Sequence, residues 1–130
     1  YTICFDENEH LEQLIIDPNA PKGVTCKMLE LKELPLDYAL FEKYGTLIYR
    51  GMHSAYVTLK GKEHGVRVSI GGYPLLAFWT AKRGAPFLCI EPWYGHGDFY
   101  DCKEDFYHRE GTMLLAKGRM FTTAYTITLF

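Results

Sequence analysis

Apolar residues recur at every second position through much of this chain, and that period decides the fold class before any motif is considered. Val57 and Leu59 alternate with Tyr56 and Thr58, and Val66, Val68 and Ile70 alternate with Arg67 and Ser69. Successive side chains of a strand point to opposite faces, so the pattern predicts strands with one buried face. Between them, Lys60-Gly61-Lys62-Glu63-His64-Gly65 is polar and holds two glycines, which predicts a hairpin. Leu75 to Thr80 and Phe87 to Ile90 are short bulky runs, parted by Lys82-Arg83-Gly84-Ala85-Pro86. Phe121, Tyr125, Ile127 and Leu129 alternate with Thr122, Ala124, Thr126 and Thr128, after a turn at Lys117-Gly118. Only Leu36 to Tyr44 has helical spacing, with Pro35 at its entry and Asp37 as its cap. The expected architecture is all-β, an antiparallel β-sandwich of many strands with short loops.

The 130 residues suffice for one domain, 1–130, with one core. Tyr1, Ile3 and Phe5 alternate with Thr2, Cys4 and Asp6, so the chain opens in a strand already under way. That reads as a fragment or a processed chain. Its sheet edges would need a partner, which an N-terminal half, as a separate segment or chain, would supply. The net charge of −2 comes without a long basic run, so nothing points to nucleic acid. No stretch reaches the roughly 18 apolar residues of a membrane span. The four cysteines, Cys4, Cys26, Cys89 and Cys102, have no CxxC spacing; they read as reduced thiols of a cytoplasmic protein. Cys89, His96 and Cys102 are too widely spaced for a metal site. The mixed charges of Asp98 to Glu110 read as a solvated loop.

The segment Pro86-Phe87-Leu88-Cys89-Ile90-Glu91-Pro92-Trp93-Tyr94-Gly95-His96-Gly97-Asp98 holds the most chemistry. A buried apolar strand runs into an acid, and Pro92, with no N–H for a ladder, is expected to end the pairing there. Glu91 would then stand at a strand mouth beside two large aromatics. A Glu carboxylate is deprotonated at pH 7 and suits general-base work. The same pattern also fits a Glu that pairs with a nearby Arg or caps backbone amides. Trp79 and Trp93 would stack on the apolar face of a sugar, or pack in the core. His96, in the same loop, would face the same cleft or the solvent. Arg67 and Arg83 would bind a sugar phosphate or serve as surface charges. His53 falls in the turn Arg50-Gly51-Met52-His53 and reads as a surface residue, and His10, His64 and His108 lie in polar stretches.

The run Cys89-Ile90-Glu91-Pro92-Trp93-Tyr94-Gly95, followed by Asp98, resembles the motif near the end of aldose 1-epimerase-related proteins of the LacX-like branch. Phe41, Thr46-Leu47-Ile48-Tyr49, Ser54 and Val57 are similar to an upstream stretch of that branch. Tyr73-Pro74 with Phe78-Trp79-Thr80, and Glu110-Gly111 with Leu115 and Gly118, are similar to two further blocks. The resemblance implies a galactose mutarotase-like supersandwich, of which this chain is the C-terminal portion. It implies cofactor-free interconversion of the α and β anomers of a hexose or related sugar, with Glu91 as the base. Trp93, Trp79 and His96 are then the expected substrate contacts. A non-catalytic carbohydrate-binding relative is the alternative.

Two departures accompany the resemblance. The family's catalytic His belongs to a His-Pro-x-Phe segment upstream of the part matched by Tyr1, and residues 1–130 do not include that segment. Gly45 stands where the branch usually has an Asp that binds sugar hydroxyls, and glycine offers no such contact.

Overall fold

The computed structural model describes residues 1–130. In chain order the elements are β1 (Thr2–Ile16), β2 (Val24–Pro35), α1 (Tyr38–Tyr44), β3 (Leu47–Arg50), β4 (Tyr56–Lys60), β5 (Gly65–Ser69), β6 (Leu75–Trp79), β7 (Cys89–Trp93) and β8 (Ile127–Leu129). All eight strands join one antiparallel sheet in which β1 is the hub. Along one side it pairs with β2. Along the other, its first residues, Thr2 to Phe5, pair with β4, and Glu12 to Leu14 pair with β3. Two wings therefore leave β1, one through β4, β5 and β8 and the other through β3, β6 and β7.

The switch between wings falls where the pairing of β1 with β2 shifts register, between Cys4 and Glu9. A bulge of this kind bends a strand and re-aims its partners. Here it curls the sheet, so that Ile3, Phe5, Val57, Val68 and Ile70 of one wing share a core with Leu11, Leu47, Tyr49, Leu76 and Phe78 of the other. Leu29, Leu31 and Leu34 of β2 pack against this same core. The all-β antiparallel expectation holds, with the sandwich made by one curled sheet.

Glu9 fastens the bend. Its side chain is fully buried, and its carboxylate accepts hydrogen bonds from the backbone N–H of Ser54 at 2.6 Å and of His53 at 2.9 Å. Burial pushes this carboxyl up, but the Ser54 and His53 donors together hold it below the ordinary range. Ser54 Oγ in turn accepts from the Glu7 amide at 3.1 Å. The β3–β4 connection is thus tied to the β1 bulge through side chains.

The hairpin lies where the alternation put it, as β4 and β5, and the run from Leu75 forms β6. Asp37 caps α1, its carboxylate accepting from the Ala39 amide at 2.8 Å. Gly45 closes α1 at φ 67° and ψ −106°, a conformation suited to glycine, and its N–H donates to the Phe41 carbonyl at 2.8 Å.

Three expectations need correction. Pro92 does not end the pairing: β7 continues to Trp93, with Pro92 opposite Leu76 and Glu91 opposite Ala77. β7 lies at the sheet edge, where a missing N–H is tolerated. Glu91 accordingly sits within a strand, on a sheet face, and not at a strand mouth. The C-terminal strand is short, covering Ile127 to Leu129, and residues 121–126 run alongside without strand structure. The N-terminal alternation extends far beyond Asp6, into the 15-residue β1. The loop from Asp98 to Glu110 contains no helix or strand. No helix is long and apolar enough to cross a membrane.

Candidate functional site

Directly paired residues in an antiparallel ladder lie on the same face, and so do residues two apart on one strand. Leu14, Ile48, Ala77 and Glu91 form one row across β1, β3, β6 and β7. Glu12, Arg50, Leu75 and Trp93 form the next row, and Trp79 with Cys89 lies on the other side of Glu91. All of these occupy the outer face of the wing, opposite the Phe78 core. Glu91 therefore stands between two indoles, each about 7 Å along the strand direction.

The floor of this face is apolar. Leu14, Ile48, Leu75 and Ala77 are buried together, with Val24, Trp93 and Phe99 packed against them. Glu91 is half-buried and its carboxylate accepts from the Trp93 indole N–H at 3.1 Å. Burial pushes the Cys89 thiol up, and the neighbouring Glu91 carboxylate, to which it hydrogen-bonds, adds to the shift. No Lys or Arg neutralises Glu91. A carboxylate fixed by a donor, unpaired by cations and next to an apolar platform is equipped to accept a proton.

A charged network borders the floor. Arg50 binds Glu12 of β1 through Nε and Glu110 through Nη1, the latter at 2.9 Å. The Arg50 hydrogen bond holds the Glu12 carboxyl low. Glu12 raises the Cys26 thiol, chiefly by accepting its hydrogen bond. Glu110 reaches this site because two backbones cross. A Cβ on Gly111 would lie 2.5 Å from both Gly95 Cα and the Tyr94 carbonyl oxygen, and Gly111 has φ +80°. Only glycine fits that crossing. Residues 95–111 thereby cover part of the outer face, with Arg109 and Asp98 paired at 2.9 Å within the flap. His96 lies under it, its side chain 10% exposed, stacked on Phe99 at 4.1 Å between ring centroids.

The expected residues Glu91, Trp93 and Trp79 thus share one face, and His96 joins them through Phe99 and Glu110. Trp79 is 38% exposed and contacts Phe87 at 5.9 Å. Arg67 and Arg83 do not join them. Arg67 pairs with Asp6 at 2.9 Å and Arg83 with Glu42 at 2.8 Å, so both are surface ion pairs away from Glu91. His53 is exposed in its loop. Sequence reasoning missed Glu12, Arg50 and Glu110, because the pairing of β1 with β3 that brings them together is not legible locally. The two large cavities of the molecule lie elsewhere. The larger, about 1230 Å³, is lined by Leu36, Phe41, Leu59, Val66 and Phe130 among others and opens on the side of the main core.

No known family signature matches the sequence. Over 66 residues, 49% of the chain, it is 36% identical to the chromosomal LacX protein of Lactococcus lactis subsp. lactis, and it matches the plasmid LacX of that organism equally. That match spans 22% of the length of LacX. The fold matches the crystal structure of a galactose mutarotase-like protein from Lactobacillus casei with a TM-score of 0.76 and 23% identity. It covers 98% of this chain and 44% of that one. The chain thus has the galactose mutarotase-like fold, is similar to the LacX proteins over about half of its own length, and spans less than half the length of these proteins.

Proposed function

We propose that this chain is the base-bearing portion of a sugar mutarotase, with Glu91 removing the proton from the C1 hydroxyl of a cyclic aldose. The observation that carries the reading is the setting of Glu91: an unneutralised carboxylate held by the Trp93 indole, between Trp93 and Trp79, above an apolar floor. Apolar C–H faces of a pyranose suit such indoles, and the carboxylate is then beside the hydroxyls. Loss of the C1 hydroxyl proton, with a proton delivered to the ring oxygen, opens the hemiacetal to an aldehyde. Rotation of the aldehyde and closure give the other anomer. Each well-placed acid or base contributes about 10²–10⁴-fold.

The resemblance assigns the acid to a His in a His-Pro-x-Phe segment, which residues 1–130 do not contain. The proposal therefore includes an N-terminal part, as a segment or a separate chain, that supplies it. Residues 1–130 would then be the C-terminal portion of a supersandwich, working in the cytoplasm on a hexose or related sugar. The fold shared with the galactose mutarotase-like protein supports a carbohydrate ligand.

A second reading, a carbohydrate-binding relative without catalysis, is favoured by Gly45. Its backbone serves as the helix cap, and it contributes no carboxylate to a sugar. Polarimetry of freshly dissolved α-galactose and α-glucose separates the two readings. The mutarotase predicts faster decay of rotation in proportion to protein. Heat of sugar binding in calorimetry without that acceleration establishes the second reading, and neither signal removes both.

A further inference from the structure

His96 has a ring nitrogen that the fold leaves without a partner. Its Nδ1 lies 2.6 Å from the Gly97 carbonyl oxygen. A carbonyl only accepts, so Nδ1 carries the hydrogen, and Nε2 of the neutral imidazole presents a lone pair. Nε2 is buried and makes no hydrogen bond. Buried polar atoms are almost always satisfied, so an orphan in a nine-tenths-buried side chain calls for a physical account.

Another acceptor lies close to it, Glu110 Oε2 at 3.7 Å. Glu110 uses its Oε1 to accept from Arg50, which leaves Oε2 available. With the imidazole neutral, two acceptors this close can each take a hydrogen bond from a donor outside the fold. Neighbouring hydroxyls of a sugar ring supply two O–H groups at a comparable separation. Phe99, on which His96 stacks, packs against the same floor as Trp93. The acceptor pair and Glu91 therefore border one platform.

We propose that His96 Nε2 and Glu110 Oε2 together accept hydrogen bonds from two adjacent hydroxyls of a sugar bound beside Glu91. The pair is then a specificity device that orients the ring, and Arg50 is a positioning residue that holds Glu110. This rests on the proposed function, because it places the sugar on the Glu91 face.

The test uses nitrogen NMR of the whole chain with D-galactose as the probe, following the His96 ring nitrogens and the Trp79 and Trp93 indoles. In the free protein Nε2 should show a lone-pair nitrogen. On titration it should move toward the hydrogen-bonded range and saturate together with the indoles. His96→Ala and Glu110→Gln should each weaken galactose binding roughly five- to tenfold, the cost of one hydroxyl contact. The exposed His108→Ala should leave it unchanged. Among singly deoxygenated galactoses, two adjacent positions should lose affinity, and one of those losses should vanish in His96→Ala. Indole shifts with a silent His96 would overturn the acceptor pair and leave the mutarotase reading standing. No shift at any of these resonances would remove both.

Discussion

The strands β3, β6 and β7 present two faces of opposite character. On the inner face, Leu47, Tyr49, Leu76 and Phe78 are almost wholly buried in a core shared by both wings. Burial pushes the Tyr49 phenol up to about 12. On the outer face, an apolar floor only four residues wide is ringed by Glu91, the two indoles, the Arg50 network and His96. The same alternation builds both, one residue apart. The difference teaches that the core and the candidate site are separated by a single step along each strand, so a one-residue slip of register would destroy both together.

Substitutions should respect that division. The largest stability effect belongs to the inner face. Phe78→Ala should cost about 3–5 kcal/mol, because the fully buried ring leaves a cavity shared by both wings; urea unfolding measures it. A loss below about 1 kcal/mol would mean that the wings do not share a core.

Glu9→Gln comes next, at about 1–3 kcal/mol, since it weakens the bonds to His53 and Ser54 at the bulge. Its pH dependence sharpens the point. The folded carboxyl titrates below the unfolded value of about 4.3. Its contribution is therefore complete above the unfolded value and is lost as pH falls through the folded one. Denaturation of the wild type should grow steeper than that of Glu9→Gln between about pH 5 and pH 3. Equal slopes would show that the buried carboxylate does not fasten the bend.

The smallest effect is expected for Arg83→Ala. It removes an exposed ion pair with Glu42, and neither the melting temperature nor sugar binding should change measurably. Altered sugar binding would place Arg83 in the site after all.

How much of this was legible in the sequence follows from the reach of each signal. The β4–β5 hairpin was readable because its two alternating runs are joined by a short glycine-containing turn, all local information. The capped α1 was readable for the same reason. β2 was not, because Lys27, Glu30, Lys32 and Glu33 break its apolar pattern, and only its leucines reach the core. Pro92 misled because the rule that proline ends pairing gives way at an edge, and edge status is a property of the whole sheet. Glu91, Trp93 and Trp79 were visible as residue types in a suggestive order. Their common face follows from the pairing of Ala77 with Glu91 and of Trp79 with Cys89. The Arg50, Glu12 and Glu110 network draws on three distant parts of the chain, so no window of sequence shows it.

The most direct test of the account compares the wild type with Glu91→Gln in polarimetric mutarotation of α-galactose, with the N-terminal part present. The amide keeps the shape of the side chain and cannot take the hydroxyl proton. The account predicts a rate lower by about 10²–10⁴-fold with galactose still bound, and an undiminished rate would contradict it.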